Sequence, residues 1–511
     1  MARRWTVFGA VLAGLALSRL CHVRVLWADA DYHLAAALQI LQGRIPYRDF
    51  WFDKPPLTPL LYTLIGARPG VVLALAGACY LFLACVLVYQ IAKRMWGERE
   101  GMLAAGLLAF YLVFYLPAAV IPVAVDLAML VPHLAAIACL LAGMPLAAGA
   151  IAGAGFLINV KALLVLAVCL LWRPRWWLRL SCGFMLVVAL SAGGLAAVGA
   201  LGGYWEQVWK WGASYTGSSH VARPYLNGLV RTVNWLAFHA AVAAAALVFF
   251  IRDRGERRRE VWIWLVVSFA AVCLGLRFMP RYYLQLLPVL AVAGARGVLL
   301  ALESRRRITA IAAGLLLLVP LVRFGPRYFM LASDLVAGRP HRWGDIALDD
   351  DSHAVARILR QQAQPGDTLL VWGYRPGIYV YARMPAGSRF LDSQPLTGVP
   401  AERHFYSSQP VTPEWARANR DELIRSSPAF VVDALGMLNP QLAIDRFADL
   451  KPWLAQYRLA GRTPLSLIYQ RLPSPDATGV LAHHRLPGGA AKGLLKFGHV
   501  GDDAVHAVLA R

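Results

Sequence analysis

The chain has 511 residues, of which 59% are hydrophobic and only 16% charged, with a net charge of +22. That balance excludes an ordinary soluble enzyme over most of the length, since soluble domains carry about a quarter charged residues. It does not indicate nucleic acid either, because the basic residues fall mostly in short connections between apolar runs, where membrane topology accounts for them.

A bilayer-spanning helix needs ~20 mostly apolar residues. Runs of that kind recur from Trp5 to about Phe324. They predict eleven spans: Trp5–Leu20, Val71–Ile91, Met102–Ala119, Leu127–Leu141, Leu146–Leu157, Ala162–Leu171, Leu178–Leu201, Leu229–Phe250, Val261–Leu276, Tyr282–Leu302 and Ile308–Phe324. The two flanking Asn159-Val160-Lys161 are too short to cross unaided, and a single long helix is the alternative. Charge favours the break. With eleven spans and the N-terminus inside, Arg3-Arg4, Lys93-Arg94, Arg173/Arg175/Arg179, Arg252–Arg259 and Arg305-Arg306-Arg307 all face the cytoplasm; ten spans would put Arg252–Arg259 outside. Arg3-Arg4 before an apolar run also fits a cleaved signal peptide. In either case the loop Trp27–Pro56 lies outside. The expected fold is mainly α, a multi-pass inner-membrane domain over residues 1–324 with its first outer loop at 27–56. A periplasmic α/β domain follows over 325–471, then a loosely ordered tail over 472–511.

The outer loop reads Ala28-Asp29-Ala30-Asp31-Tyr32-His33, then Gly43-Arg44-Ile45-Pro46-Tyr47-Arg48-Asp49-Phe50-Trp51-Phe52-Asp53-Lys54-Pro55-Pro56. Leu34, Leu38 and Leu41 repeat at helical spacing, which predicts an amphipathic helix on the membrane surface, stopped at Gly43. A second such helix is expected over Leu57–Ile65. Other ionisable groups return to the same face: Asp126 opens the fourth span, Lys161 sits in the break, and Arg277 and Arg281 flank Met279-Pro280. Such groups cost roughly 2.5–3.5 kcal/mol at membrane depth, so they carry a partner or a function. A bound phosphate would explain cations on the outer face. Each residue also has a plainer reading. Asp29 or, better, Asp31 would cap a helix; Lys54 would snorkel; Arg277 and Arg281 would anchor in headgroups; Asp126 would pair with a basic neighbour. Asp-x-Asp also matches the metal site of nucleotide-sugar transferases, whose donors are absent outside the cytoplasm. His133 and His239 read as core residues.

The run from Asp29 to Lys54-Pro55-Pro56 resembles the first outer loop of the GT-C glycosyltransferases. Within them it is similar to the bacterial relatives of protein O-mannosyltransferases and of the lipid A aminoarabinose transferase. Arg277 to Pro288 and Gly366-Asp367-Thr368-Leu369-Leu370-Val371-Trp372-Gly373 agree with that resemblance. It implies that Asp29 is the general base, that Lys54 lies near the carrier phosphate, that Asp126 is an acid opening the fourth span, and that Tyr282 matches a family position. Beside the resemblance, the outer-face cations Lys161, Arg277 and Arg281 are read with Lys54 and Tyr282 as binding the donor phosphate, and Asp126, Asp31 and Asp53 as supporting acids. Arg281 stands where relatives often have His. Relatives commonly read Asp-Glu where this chain has Asp29-Ala30, which puts a metal in that loop in doubt; a divalent ion is the one cofactor left open.

The implied activity is inverting transfer of a sugar from a polyprenyl-phosphate carrier to an envelope glycolipid, polysaccharide or protein, with the lipid bilayer and no nucleic acid as partner. The competing expectation is a lipid-linked sugar flippase or transporter, whose charges would line a path through mid-bilayer. In the C-terminal domain, Ser352–Gln362 reads as a helix capped by Asp349-Asp350-Asp351. Thr368–Trp372, Phe430-Val431-Val432 and Leu465–Tyr469 read as strands. His483-His484 in the tail is read as incidental.

Overall fold

The computed structural model describes residues 2–218, 223–303, 307–340 and 346–473. Arg305, Arg306, His483, His484 and the rest of the expected tail beyond Pro473 lie outside the described residues. The chain divides into two compact units, Met1–Pro340 and His341–Arg511.

The first unit is helical. Its elements begin with α1 (Ala2–Cys21), α2 (Ala30–Leu41), α3 (Leu57–Thr63), α4 (Val71–Met95), α5 (Glu98–Val113) and α6 (Pro117–Val120). There follow α7 (Val125–Ala128), α8 (Leu130–Leu141), α9 (Pro145–Phe156), α10 (Ala162–Trp172) and α11 (Trp177–Ala197). The rest are α12 (Leu201–Tyr204), α13 (Trp211–Ser218), α14 (Pro224–Phe238), α15 (Ala240–Arg252), α16 (Arg257–Cys273), α17 (Leu287–Glu303) and α18 (Arg307–Val336).

A helical segment stands at each expected span, but among the described residues only five helices are long and apolar enough to cross a membrane, or six if the pair α14–α15, bent by 91°, counts as one. Those five already make the unit a multi-pass membrane fold. The remaining segments of the eleven are too short to meet that criterion alone. At 1.5 Å per residue, α9 and α10, with 12 and 11 residues, reach only about 17–18 Å, against an apolar thickness of about 30 Å.

Small residues let the helices meet closely, which is how membrane helices gain contact where lipid offers no competing hydrophobic drive. A Cβ on Gly149 of α9 would lie 2.0 Å from the Leu180 carbonyl oxygen of α11, and one on Gly297 of α17 would lie 1.8 Å from that of Ala245 in α15. Some of the basic residues near the connections are paired within the protein. Glu260 binds Arg173 at 2.6 Å and Arg257 at 2.7 Å, while Arg296 bridges Glu100 at 2.8 Å and Asp253 at 3.3 Å.

Helix α2 departs from its expected place on a membrane surface. Every residue from Ala30 to Gln39 is buried, including the polar Asp31, His33 and Gln39. The face expected to meet solvent is instead covered by aromatic rings: Phe52 stacks on Tyr32 at 5.1 Å, and Tyr62 of α3 stacks on His33 at 6.2 Å. The second loop helix is the seven-residue α3.

The second unit is a small α/β layer. Helix α19 (Ala347–Gln362) precedes β1 (Leu369–Trp372), β2 (Phe430–Asp433), β3 (Tyr457–Arg462) and β4 (Leu467–Arg471), with sheet order β1-β2-β4-β3. The apolar run of β1 and the Phe430–Val432 run of β2, which ends in Asp433, pair in parallel, and both strands are buried throughout, as such runs require. Strand β3 is not legible in the sequence, because only Tyr457 at its start is buried. Asp349 and Asp351 do not cap α19. They lie inside it, where Asp351 pairs with buried Arg375 at 2.9 Å and Asp349 accepts from the Tyr381 hydroxyl at 2.8 Å.

Candidate active site

The loop between α1 and α4 is fixed before any charge is placed. Helix α2 ends in a Schellman turn: Gly43 takes φ 86°, its N–H donates to the Ile40 carbonyl at 3.0 Å, and the Arg44 N–H donates to that of Gln39 at 3.0 Å. Asp49 then accepts from the Ile45 N–H at 2.8 Å and pairs with Arg48 at 2.8 Å. Tyr47 donates through its hydroxyl to the Lys54 carbonyl at 2.7 Å. The loop's exit is tied to the helix break, since the Leu57 N–H donates to the Leu157 carbonyl at 2.9 Å.

At the break between α9 and α10, Lys161 is buried and pairs with Asp126 at 3.0 Å. Its ammonium also lies 3.3 Å from the ring centre of Tyr282, a cation–π contact that adds to the pair when water is excluded. Asn159 donates to the same Asp126 oxygen at 3.2 Å, and Gln285 donates to the Asp126 carbonyl at 3.0 Å. Behind Gln285 the chain of bonds continues to His133 at 3.1 Å and from there to the Trp264 indole at 2.8 Å. His133 is thus a packed core histidine, as is His239, which stacks on Trp235 at 4.0 Å.

Arg281 joins this centre to the first loop. Its guanidinium forms an ion pair with Asp29 and approaches the second oxygen of Asp126 at 3.8 Å. Asp29 makes no side-chain cap to α2, so the plainer capping reading does not account for it; it makes the ion pair instead. The backbone there is held in an uncommon conformation. Among the described residues seven non-glycines have positive φ, and four of them, Asp29, Tyr47, Leu276 and Phe278, belong to the first loop or to the turn before Arg281. Such conformations cost of order 1–3 kcal/mol each and cluster at functional sites.

Lys54 belongs to the same loop as Asp29. It binds Asp53 at 2.9 Å while its side chain stays 35% exposed. Burial works against its charge, and Arg277 repels it, but the Asp53 carboxylate and Tyr282 outweigh both and hold the ammonium above its ordinary pKa. The first loop therefore comes within electrostatic reach of the 277–282 segment. Arg277 itself lies over the Tyr215 ring at 4.5 Å, and Arg231 of α14 donates to the Arg277 and Phe278 carbonyls at 3.1 and 3.3 Å.

Burial, and after it the charge of Lys54, lowers the His33 pKa to about 3, against about 6.5 for a free histidine. Between those values the unfolded chain binds a proton that the folded one refuses, so stability falls as pH drops through that window. Melting in detergent should show this loss from about pH 6 downward, and His33→Phe should make it shallower by one proton. An unchanged slope would remove His33 as its source.

The residues that the sequence singles out thus meet in one linked set: Asp29, Arg281, Asp126, Lys161 and Tyr282 by direct contact, with Lys54, Asp53 and Arg277 alongside. Asp31 is buried in the first turn of α2 and accepts from the Tyr32 N–H at 2.7 Å. The sequence does not mark Asn159 or Gln285, although both stand inside stretches already noted, nor Arg231 and Gln207, for which it holds no signal. Among the described residues no three His, Cys, Asp or Glu side chains converge as a metal site.

These features define a multi-pass membrane protein with an acid–cation centre between its first loop and the turn before α17. No family model matches the chain, and no curated protein matches it in sequence. Solved structures do match. ArnT from Cupriavidus metallidurans bound to undecaprenyl phosphate is 16% identical with a TM-score of 0.57, the match covering 93% of this chain and 99% of that one. Its apo state is 17% identical with a TM-score of 0.56, covering 92% and 98%. AglB, an archaeal oligosaccharyltransferase from Archaeoglobus fulgidus in complex with an inhibitory peptide and a dolichol-phosphate, matches at 13% identity and a TM-score of 0.49, over 93% and 75%. The chain therefore shares the fold of ArnT.

Proposed function

We propose that the chain is an inverting glycosyltransferase that moves a hexosyl or pentosyl group from a polyprenyl-phosphate carrier to an envelope acceptor at the outer face of the inner membrane. The observation that carries the reading is the meeting of Asp29 with Arg281, beside a second acid–cation pair, Asp126 and Lys161. A protein of the same fold, ArnT, binds undecaprenyl phosphate, which favours the same class of carrier here. In this topology all eleven helical segments traverse the bilayer, the short ones sheltered by protein, and the α/β unit lies in the periplasm.

In the reaction, the Asp29 carboxylate takes the proton of an acceptor hydroxyl as that oxygen attacks the anomeric carbon. The bond from that carbon to the carrier phosphate breaks, and its electron pair leaves with the phosphate. Inversion follows from the single displacement. Negative charge grows on the departing phosphate, where Arg281, Lys54, Lys161 and Arg277 stabilise it; preorganised charges of this kind supply the greater part of the rate enhancement in many enzymes. Asp126 keeps Lys161 and Arg281 in place, and Tyr282 backs Lys161.

The test is incubation of the protein in nanodiscs with polyprenyl-phosphate sugars and envelope acceptors. Free polyprenyl phosphate and glycosylated acceptor are expected, and Lys54→Ala should slow their appearance about 10²-fold. Translocation of the intact lipid-linked sugar with no phosphate released would instead support a flippase.

A further inference from the structure

Helix α12, the segment Trp205–Lys210 and α13 follow one another without a gap, and the middle six residues form a π-turn. Such turns are rare and frequently found at functional sites, and their wider winding re-aims the side chains that follow. Here the turn carries Gln207, which is fully buried. Its amide oxygen accepts from the Phe52 N–H at 2.8 Å, and its amide nitrogen donates to the Tyr47 carbonyl at 2.7 Å. One side chain therefore grips the first outer loop at two points. Tyr47 passes the hold onward through its hydroxyl bond to the Lys54 carbonyl. The close approach depends on Gly203, where a Cβ would lie 2.3 Å from the Tyr47 carbonyl oxygen.

The same helical segment reaches a second cation. Trp211 packs against Trp51 of the loop, with ring centres 6.3 Å apart, and Tyr215 lies beneath Arg277. Residues eight apart on a regular α-helix are about 80° out of register. A π-turn between them takes up much of that difference. Gln207 and Tyr215 can then serve the first loop and the 277 turn from one face.

We propose that Gln207 is a positioning residue, and that its π-turn sets the spacing at which Lys54 and Arg277 close on one donor phosphate. The inference rests on the transfer reading above and adds to it what aligns the leaving-group cations. Gln207 acts only through Lys54 on this account, which separates it from a residue that merely supports the fold.

A double-mutant cycle tests the point, with undecaprenyl phosphate as the probe ligand and melting temperature measured alongside. Lys54→Ala should weaken binding about 10²-fold and Gln207→Ala about 10-fold, since small misplacements of binding groups carry costs of that order. In the Lys54→Ala background, Gln207→Ala should change affinity less than about 2-fold, the non-additivity expected of coupled residues. If Gln207→Ala does not fold, Gln207→Glu is used, which keeps an acceptor for Phe52 and loses the donor to Tyr47. A normal loss in Lys54→Ala with an equal Gln207 effect in both backgrounds overturns the inference and leaves the transfer reading standing. Unchanged affinity in Lys54→Ala overturns this inference together with the phosphate role of Lys54.

Discussion

Asp29→Asn should lower sugar transfer by about 10²–10⁴-fold, the range a positioned general base contributes, while the protein accumulates in membranes at its usual level. The substitution keeps the shape of the side chain and its ability to accept a hydrogen bond from Arg281, but removes the capacity to take a proton. Asp29 is partly exposed, at 23% of its side chain, so loss of its charge strands nothing in the interior. Radiolabelled transfer in nanodiscs measures the first outcome and immunoblotting the second. Full activity in this variant would refute the assignment of the base. Binding of undecaprenyl phosphate should survive or tighten, since Arg281 is then held less firmly.

The largest effect on stability is expected at Asp126. Its side chain is 3% exposed and that of its partner Lys161 10%. Asp126→Asn leaves the ammonium inside the protein with an amide and the Tyr282 ring for company. Removing one member of a buried pair costs about 3–5 kcal/mol, because the remaining charge keeps its desolvation penalty without its compensation. The melting temperature in detergent and the yield should both fall. Asp126→Asn combined with Lys161→Met should recover most of the stability while transfer stays low, since two neutral groups of suitable volume can replace a buried pair. A single variant that melts like the parent would show that the pair is not holding the break between α9 and α10 together.

The charged residues of this site can be read from sequence because the background is so apolar: a lone Asp126 or Lys161 in a membrane run stands out, and cost forces an explanation. Asp29 and Lys54 sit in a charge-rich loop and are legible instead through the resemblance of that loop, together with the order of Asp29, Lys54 and Arg281 along the chain. The burial of α2 is not. Its Leu34–Leu38 stripe describes one face of a helix, and the sequence cannot say that Phe52 and Tyr62 close over the other. The break is legible too: the short runs Leu146–Leu157 and Ala162–Leu171 on either side of Asn159-Val160-Lys161 correspond to α9 and α10, which end at Phe156 and begin at Ala162. Asp351 reads as a cap because its partner Arg375 is distant in sequence and joins it only on folding. Gln207 is an ordinary residue in a tryptophan-rich stretch, and only the π-turn reveals where it points.

The ion pair between Asp29 and Arg281 has a kinetic meaning. On the proposed mechanism, the group that takes the acceptor's proton is latched in the idle protein by the cation that meets the donor. Arrival of a lipid phosphate would offer Arg281 a rival anion and unlatch the carboxylate in the same movement. Addition of substrates would then be ordered, carrier first, and an acceptor that diffuses in alone would find no free base to activate it.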